Sequence, residues 1–337
     1  MSTQITTAFV KQYSANVQLL VQQMGSRMRN AVTLETGKVG EEVFMDRINA
    51  TSPQKVTTRH ADSPLISTPH DRRRITPVDY DWGDMIDNPD KLRLLIDPAS
   101  AYSANAAMAM GRAMDEEIIG ALKGSAYGST GDSATSGSTS NSSIALPSAQ
   151  KITSVTNTYA VDGETVGNQQ PLTVGKLIHA RKLLGASEAD DYDVNGNSNL
   201  FLVVNSAQLA YLLTSTKVNS ADYNQVRALV AGDLNQFMGF NIIRTEKIPT
   251  TSGTEEYSGS ASDKVPQVTS VDEHYVYAFH RRGIGLCVWE DIVARISERP
   301  DKRFSQYIYY RMTLGATRLE EERVVQIMCQ DAAVDKS

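Results

Sequence analysis

The longest helical pattern in the chain lies between Pro98 and Gly124. Every fourth position in its second half is large and apolar: Met110, Met114, Ile118 and Leu122. On a helix this spacing gives one apolar stripe. Asp97 is a suitable N-cap, proline is favoured at the first helical position, and Gly124 is suited to end the helix. The pattern therefore predicts a structural spine helix over residues 98–123, with its stripe packed into a core.

An alternation of shorter helices and strands follows, between two segments rich in Gly, Ser and Thr at residues 124–147 and 250–267. The helices are expected at Thr173–Leu184, Ser206–Leu213 (with Ser206 as its cap) and Tyr223–Val230, and the strands at Leu200–Val204 and Phe240–Arg244. The alternation predicts a compact α/β domain bounded by loops.

The C-terminal part of the chain has the period of β-strands. Residues 274–300 contain at least two strands, and residues 303–329 alternate strongly. One face of this strand contains Ile308, Tyr310, Met312 and Leu314. The opposite face contains Tyr307, Tyr309 and Arg311. Since both sets contain apolar or aromatic residues, we expect a sheet covered on both sides, with the spine helix on one of them.

The region before the spine helix has a different texture. Residues 40–48 are expected to form a short helix, and prolines are frequent between residues 53 and 84, which disfavours both helix and central strand. Two extended limbs, Gln54–Arg59 and Arg72–Trp82, are predicted to flank a polar tip at His60–Asp71. Such a loop has little core of its own, so we expect it to be ordered by the surface of a neighbouring subunit.

One dense basic run lies in this loop, with Arg59 nearby. Contact with phosphate and simple exposure to solvent are two interpretations of Arg72, Arg73 and Arg74. The favoured interpretation is pairing with the carboxylates of a neighbouring copy, because arginine suits bidentate pairing at interfaces. The residues expected at this contact between subunits are Arg59, Arg72, Arg73, Arg74, Asp79, Asp81, Trp82 and Asp84, with Asp87 a further carboxylate.

The composition and the motifs of the chain argue against an enzyme and against tight binding of nucleic acid. The 337 residues have a formal net charge of −6, which disfavours tight nucleic-acid binding, and no segment is apolar enough to span a membrane. The two cysteines, Cys287 and Cys329, are expected to be buried, reduced thiols. The Asp115–Glu117 run is interpreted as a solvated helix face, and Asp191–Gly196 lacks the final ligand of a calcium loop. No phosphate, dinucleotide, hydrolase or zinc motif occurs, so we expect no enzyme activity, cofactor or metal.

Taken in order, these segments resemble the major capsid protein of tailed bacteriophages, which has the Hong-Kong-ninety-seven-type shell fold. Residues 78–122 resemble the return limb of the extended loop and the spine helix, and FLVVNSAQLAYLL at 201–213 with MGFNIIRTEKIP at 238–249 resembles the axial domain. The last strands of the family's peripheral domain are similar to residues 277–328.

The resemblance implies an α+β fold with an N-terminal arm, an extended β-hairpin loop, a long spine helix, a peripheral domain sheet and an α/β axial domain. The divisions expected are an arm with a short helix at 1–48, the extended loop at 49–90, the peripheral domain with its helix at 91–150, the axial domain at 151–268, and peripheral strands at 269–337.

The implied function is self-assembly into the icosahedral head shell of a double-stranded DNA phage, through pentamers and hexamers. Implied partners are a scaffolding protein, a portal and the packaged DNA, with which the shell makes weak, non-specific contact. Assembly is expected in the host cytoplasm.

The shell of the family's prototype is cross-linked through a loop lysine, but Lys55 is the only lysine between residues 39 and 90 and lies at the loop's base. We therefore expect no cross-link, and reinforcement by a cement or decoration protein instead. The arm before residue 40 is too short to resemble a fused scaffolding domain, so the scaffold is expected to be separate. An encapsulin-type compartment shell and a soluble α/β enzyme are the alternatives.

Overall fold

The structure is a computed structural model. It describes residues 22–57, 63, 65–86, 99–129, 142–153, 171–189, 198–214, 236–249 and 273–330. The helices in these ranges are α1 (Ala99–Lys123), α2 (Val174–Ala186) and α3 (Ser206–Thr214). The strands are β1 (Thr33–Thr36), β2 (Val43–Ile48), β3 (His70–Ile75), β4 (Val78–Ile86), β5 (Ala126–Ser129), β6 (Ser142–Ile144), β7 (Lys151–Ile152), β8 (Leu200–Val204), β9 (Gln236–Phe237), β10 (Phe240–Arg244), β11 (Glu273–His280), β12 (Ile284–Arg299), β13 (Ser305–Arg318) and β14 (Val324–Gln330).

The predicted spine helix is confirmed as α1. All four members of its stripe are buried in the main hydrophobic core: Met110, Met114, Ile118 and Leu122. The helix ends as expected, because the Gly124 amide donates to the Gly120 carbonyl at 2.8 Å just beyond Lys123. Asp97 and Pro98 lie outside the described residues.

The spine helix packs on a four-stranded sheet, called here the spine sheet, in the order β1-β12-β13-β4. The alternation predicted for β13 is confirmed on the side of the helix, where Ile308, Tyr310, Met312 and Leu314 are buried. The opposite side, with Tyr307 and Tyr309, is half-exposed, so within one subunit this sheet is fully covered on one side only.

A six-stranded sheet in the order β7-β14-β11-β8-β10-β9 forms a second core. The strands predicted at Leu200–Val204 and Phe240–Arg244 are confirmed and pair in parallel. The predicted helices are confirmed as α2 and α3, but Ser206 is not the cap, because the Asn205 side chain accepts the Gln208 amide at 2.9 Å. The helix predicted at residues 223–230 lies outside the described residues.

The pairing of this sheet joins strands that lie far apart along the chain. The prediction places β11 and β14 among the peripheral strands at 269–337, and β11 pairs directly with β8 and with β14. The division of the chain into domains stays a prediction. The hydrophobic pattern identifies strands correctly here, but it carries no information about which strands are neighbours.

A third sheet, called here the hairpin sheet, has the order β2-β3-β5-β6. The short helix expected at residues 40–48 is wrong, because residues 43–48 form β2 and pair antiparallel with β3. The predicted limbs also shift: residues 54–57 are not in a strand, and β3 ends before Thr76 and Pro77. Beyond this break β4 joins the spine sheet of its own subunit, so the second limb is not a free arm ordered by a neighbour.

Both cysteines are buried free thiols, as predicted. Burial raises the pKa of the Cys287 thiol to about 11.

Candidate assembly interface

The connection between β2 and β3 presents apolar side chains to solvent. Val56 is 80% exposed and Leu65 is 98% exposed, and Ile48 at the end of β2 is 69% exposed. The described part of the connection has no strand or helix of its own, and the Asn49 amide closes its base by donating to the Pro69 carbonyl. Exposed apolar surface of this kind is a feature of regions that bind another protein. This connection is called the hairpin tip below.

The outward face of the hairpin sheet combines arginines with aromatic rings. Arg74 lies opposite Phe44 on one side and Tyr127 on the other, in one row across three strands. The Arg74 guanidinium lies 5.7 Å from the centre of the Tyr127 ring, and that of Arg72 lies 5.5 Å from the centre of the Phe44 ring. Arginine and aromatic residues are the types most enriched at the energetic centres of protein interfaces.

The three consecutive arginines have different environments. Arg72 is exposed and lies 3.4 Å from Asp46, and the half-buried Arg74 is 2.9 Å from Glu42. Arg73 points the other way, since side chains alternate along a strand, and it is buried against Glu321 at 2.7 Å. Pairing of Arg73 with a neighbouring copy is therefore wrong: its partner is a carboxylate of its own subunit. Arg59 lies outside the described residues.

The predicted acidic residues Asp79, Asp81 and Asp84 lie along β4, the edge strand of the spine sheet, and Asp87 lies outside the described residues. Asp79 accepts a hydrogen bond from the Thr313 hydroxyl at 2.7 Å, and Asp81 accepts one from the Tyr309 hydroxyl at 2.8 Å. The contact with Asp81 is the main cause of a raised Tyr309 pKa. These two carboxylates lie on the face of the sheet that the spine helix leaves open.

The last two predicted residues belong to the helix side of the same strand. The Trp82 ring packs edge-on against Tyr310, with 6.3 Å between ring centres, so its contact lies within the subunit. The Asp84 carboxylate accepts the Met85 amide at 2.8 Å. The structure thus separates the predicted set: arginines on the hairpin sheet, carboxylates on the spine sheet.

Asp115 is an important residue that the sequence interpretation missed. The interpretation of Asp115–Glu117 as a solvated helix face is wrong for Asp115, whose side chain is fully buried. Its carboxylate accepts the amides of Arg27 and Met28 at 3.0 and 3.1 Å, together with the side chains of Ser26 and Gln23. The residue therefore fixes the segment 23–28 to the middle of the spine helix. Its place at helical spacing from Gly111 and Ile118, on the buried side, was the available signal.

Within the described ranges, no cluster of three or more His, Cys, Asp or Glu side chains is arranged to hold a metal ion. Among the helices that the structure describes, none combines the length and the apolar character that a bilayer crossing requires.

The arrangement defines a class of protein. A 25-residue helix packs on the spine sheet, a second sheet contains the hairpin with the exposed apolar tip, and a six-stranded sheet with its own helices forms a second core. This is the Hong-Kong-ninety-seven-type shell fold, whose subunits tile a closed surface.

Comparison with known proteins agrees with that class. A family model described as phage capsid protein matches residues 5–331, so the chain belongs to the phage capsid protein family. Its role is accordingly structural, in the capsid of the virion, where copies of the chain assemble into the shell. No curated protein sequence matches the chain significantly.

Solved phage capsids share the fold at low sequence identity. The capsid protein of the cyanophage P-SCSP1u is 13% identical with a TM-score of 0.68, over 98% of this chain and 96% of that chain. The head protein of the Helicobacter pylori bacteriophage KHP40 is 10% identical with a TM-score of 0.67, over 98% of each chain. For the capsid of Ralstonia phage GP4 they are 12% and 0.65, over 98% of this chain and 97% of that chain. At these identities the likeness concerns the fold alone.

Proposed function

We propose that this chain is the major capsid protein of a tailed, double-stranded DNA phage and that its pentamers and hexamers form an icosahedral head. The observation that carries the assembly mechanism is the hairpin tip, where Val56 and Leu65 stand almost fully in solvent. If a neighbouring subunit covered these side chains, their apolar surface would be removed from water. Such burial stabilises the contact by about 25 cal/mol for each Å² of apolar surface. Because each such contact repeats around the shell, a weak contact suffices for a stable assembly.

Replacing residues 50–69 by a short Gly-containing turn tests this mechanism. The tip adds no helix or strand to the described fold, so the variant subunit is expected to keep its circular dichroism spectrum and to lose closed shells in negative-stain micrographs. A matched variant, Val56→Ser with Leu65→Ser, keeps the length of the loop and removes only the apolar contact. Closed shells of normal size and stability from both variants would refute the mechanism.

The outward arginines of the hairpin sheet are proposed to meet carboxylates of a neighbouring copy, with Asp79, Asp81 and Asp84 as the candidates. Support comes from the exposed position of Arg72 and from the open face on which Asp79 and Asp81 lie. Arg72→Ala is expected to weaken assembly at 0.15 M salt and to leave the unfolding free energy within about 0.5 kcal/mol, since exposed ion pairs contribute little to folding.

The control for this test is Asp46→Ala, which removes the partner of Arg72 within the subunit and leaves the arginine free for a neighbour. Assembly by the Asp46 variant should equal or exceed that of the wild type, as judged by the particle fraction in a sucrose gradient. If both variants lose assembly equally, the role of Arg72 lies within the subunit and the proposed contact is wrong.

Further partners are proposed from the same family role. These are a separate scaffolding protein, a portal, a cement or decoration protein and weak, non-specific contact with packaged DNA, with assembly in the host cytoplasm. The acidic net charge of −6 supports a container that does not grip its DNA. DNA inside native particles distinguishes this function from an encapsulin-type compartment with protein cargo.

A further inference from the structure

A cluster of buried and partly buried charges lies where the hairpin sheet meets the body of the subunit. Arg73 donates to a Glu321 oxygen at 2.7 Å, and Arg47 approaches the same oxygen at 4.0 Å. The Nε of Arg318 lies 3.6 Å from the other Glu321 oxygen. Both Arg47 and Arg73 also donate to the backbone carbonyl of Leu319.

These charges connect elements that are distant in the chain. Arg47 belongs to β2 and Arg73 to β3, so both come from the hairpin sheet, whereas Arg318 ends β13 of the spine sheet. The Arg318 guanidinium also donates to the carbonyls of Leu122 and Gly124 at the end of the spine helix, at 3.3 and 2.8 Å, and to a third carbonyl in β6 at 2.8 Å. Glu321 therefore lies between cations of the hairpin sheet and a cation of the subunit body.

The balance of charge in this cluster depends on Glu321. Asp71 pairs with Arg47 at 3.0 Å, so three guanidinium groups face two carboxylates and the net charge is +1. Burial lowers the pKa of the Arg73 and Arg318 guanidinium groups, and the neighbouring Glu321 opposes that effect. Arginine nevertheless stays protonated in proteins. If Glu321 lost its charge, the buried arginines would repel one another with only Asp71 to compensate.

We propose that Glu321 is the latch that holds the hairpin sheet in one orientation on the subunit body. Neutralising this one carboxylate loosens β2 and β3 of the hairpin sheet while the six-stranded sheet stays folded, because the six-stranded sheet has its own core. The latch is a property of the single subunit. Its consequence, a fixed direction in which the hairpin tip reaches a neighbour, rests on the proposed function.

Hydrogen exchange of the full chain, monitored by mass spectrometry, tests the latch. In Glu321→Gln the amides of β2 and β3 are expected to exchange at least about tenfold faster than in the wild type, while β11 and β14 keep their protection. The matched control is Glu322→Gln, because this neighbouring side chain is exposed and its loss leaves the cluster intact. Unchanged exchange of β2 and β3 in Glu321→Gln would overturn the proposal.

A second variant separates charge from packing. Arg73→Met with Glu321→Met removes one cation and one anion, so the cluster keeps its net charge of +1, and apolar replacement of a buried pair is commonly tolerated. In this double variant the amides of β2 and β3 are expected to be protected from exchange nearly as well as in the wild type. This expectation holds even if Glu321→Gln does not fold. Equal release of the hairpin sheet in both variants would show that loss of the Arg73–Glu321 contact, and not an uncompensated charge, frees the sheet, and would overturn the charge-balance argument. The result is independent of shell formation, so a wild-type protein that forms no shells would refute the proposed function and leave the latch standing.

Discussion

A single buried carboxylate determines where the N-terminal segment lies. The Asp115 carboxylate accepts hydrogen bonds from the segment 23–28, so amide and hydroxyl dipoles of that segment compensate its charge. Charge-assisted hydrogen bonds of this kind are stronger than neutral ones, and removal of the carboxylate leaves several buried donors without an acceptor.

Asp115→Ala is therefore expected to lower the free energy of unfolding by about 3 kcal/mol, because buried donors without an acceptor are costly. Glu116→Ala is the control on the same helix, since Glu116 pairs with Lys247 at the surface and should cost below about 1 kcal/mol. Urea unfolding followed by circular dichroism measures both. Equal losses in the two variants would contradict the anchoring role of Asp115.

At the scale of elements, the spine helix contains two glycines with opposite surroundings. A Cβ atom at Gly111 would lie 2.6 Å from the backbone of Gly25, so the absence of a side chain permits the N-terminal segment to touch the helix. Around Gly120, in contrast, no atom lies within 4 Å of such a Cβ. One glycine is thus required by packing and the other is not.

Alanine at these two positions should shift stability in opposite directions. Gly111→Ala forces the segment around Gly25 away from the helix and is expected to destabilise the subunit by about 1–3 kcal/mol. Gly120→Ala removes backbone entropy from the unfolded chain without a clash and is expected to stabilise it by about 0.5–1 kcal/mol. Thermal unfolding of the two variants makes the comparison, and a gain in stability for Gly111→Ala would show that the close approach is not formed.

For the whole molecule, the position of the lysines predicts whether the subunits of the shell are covalently cross-linked. Lys55 is exposed near the start of the hairpin tip, and no other lysine occurs between residues 39 and 90. Denaturing electrophoresis of mature particles is therefore expected to give a single band near 36.9 kDa. A ladder of covalent multimers would contradict this prediction. Loss of the ladder in a Lys55→Arg variant would then identify Lys55 as the cross-linking residue.

The assembled shell also provides a test of the scaffold. The chain expressed alone is expected to give irregular or open assemblies, and addition of the phage's scaffolding protein is expected to give uniform shells. Electron micrographs of the two preparations decide the point, since uniform closed shells from the chain alone would show that no separate scaffold is needed.

The amino-acid sequence by itself determined the elements that have a clear local pattern. The spine helix and the buried side of β13 follow from spacing, because helices and strands place their side chains at fixed intervals. β8 and β10 follow from short, mainly apolar runs. Only the tertiary structure decided the rest. Residues 43–48 are a strand because β3 pairs with them, β11 joins β8 across a long stretch of chain, and Asp115 and Arg73 are buried because partners distant in sequence compensate their charges. Such partners leave no local period, and burial of a charge depends on them rather than on the residue's own neighbours in the chain.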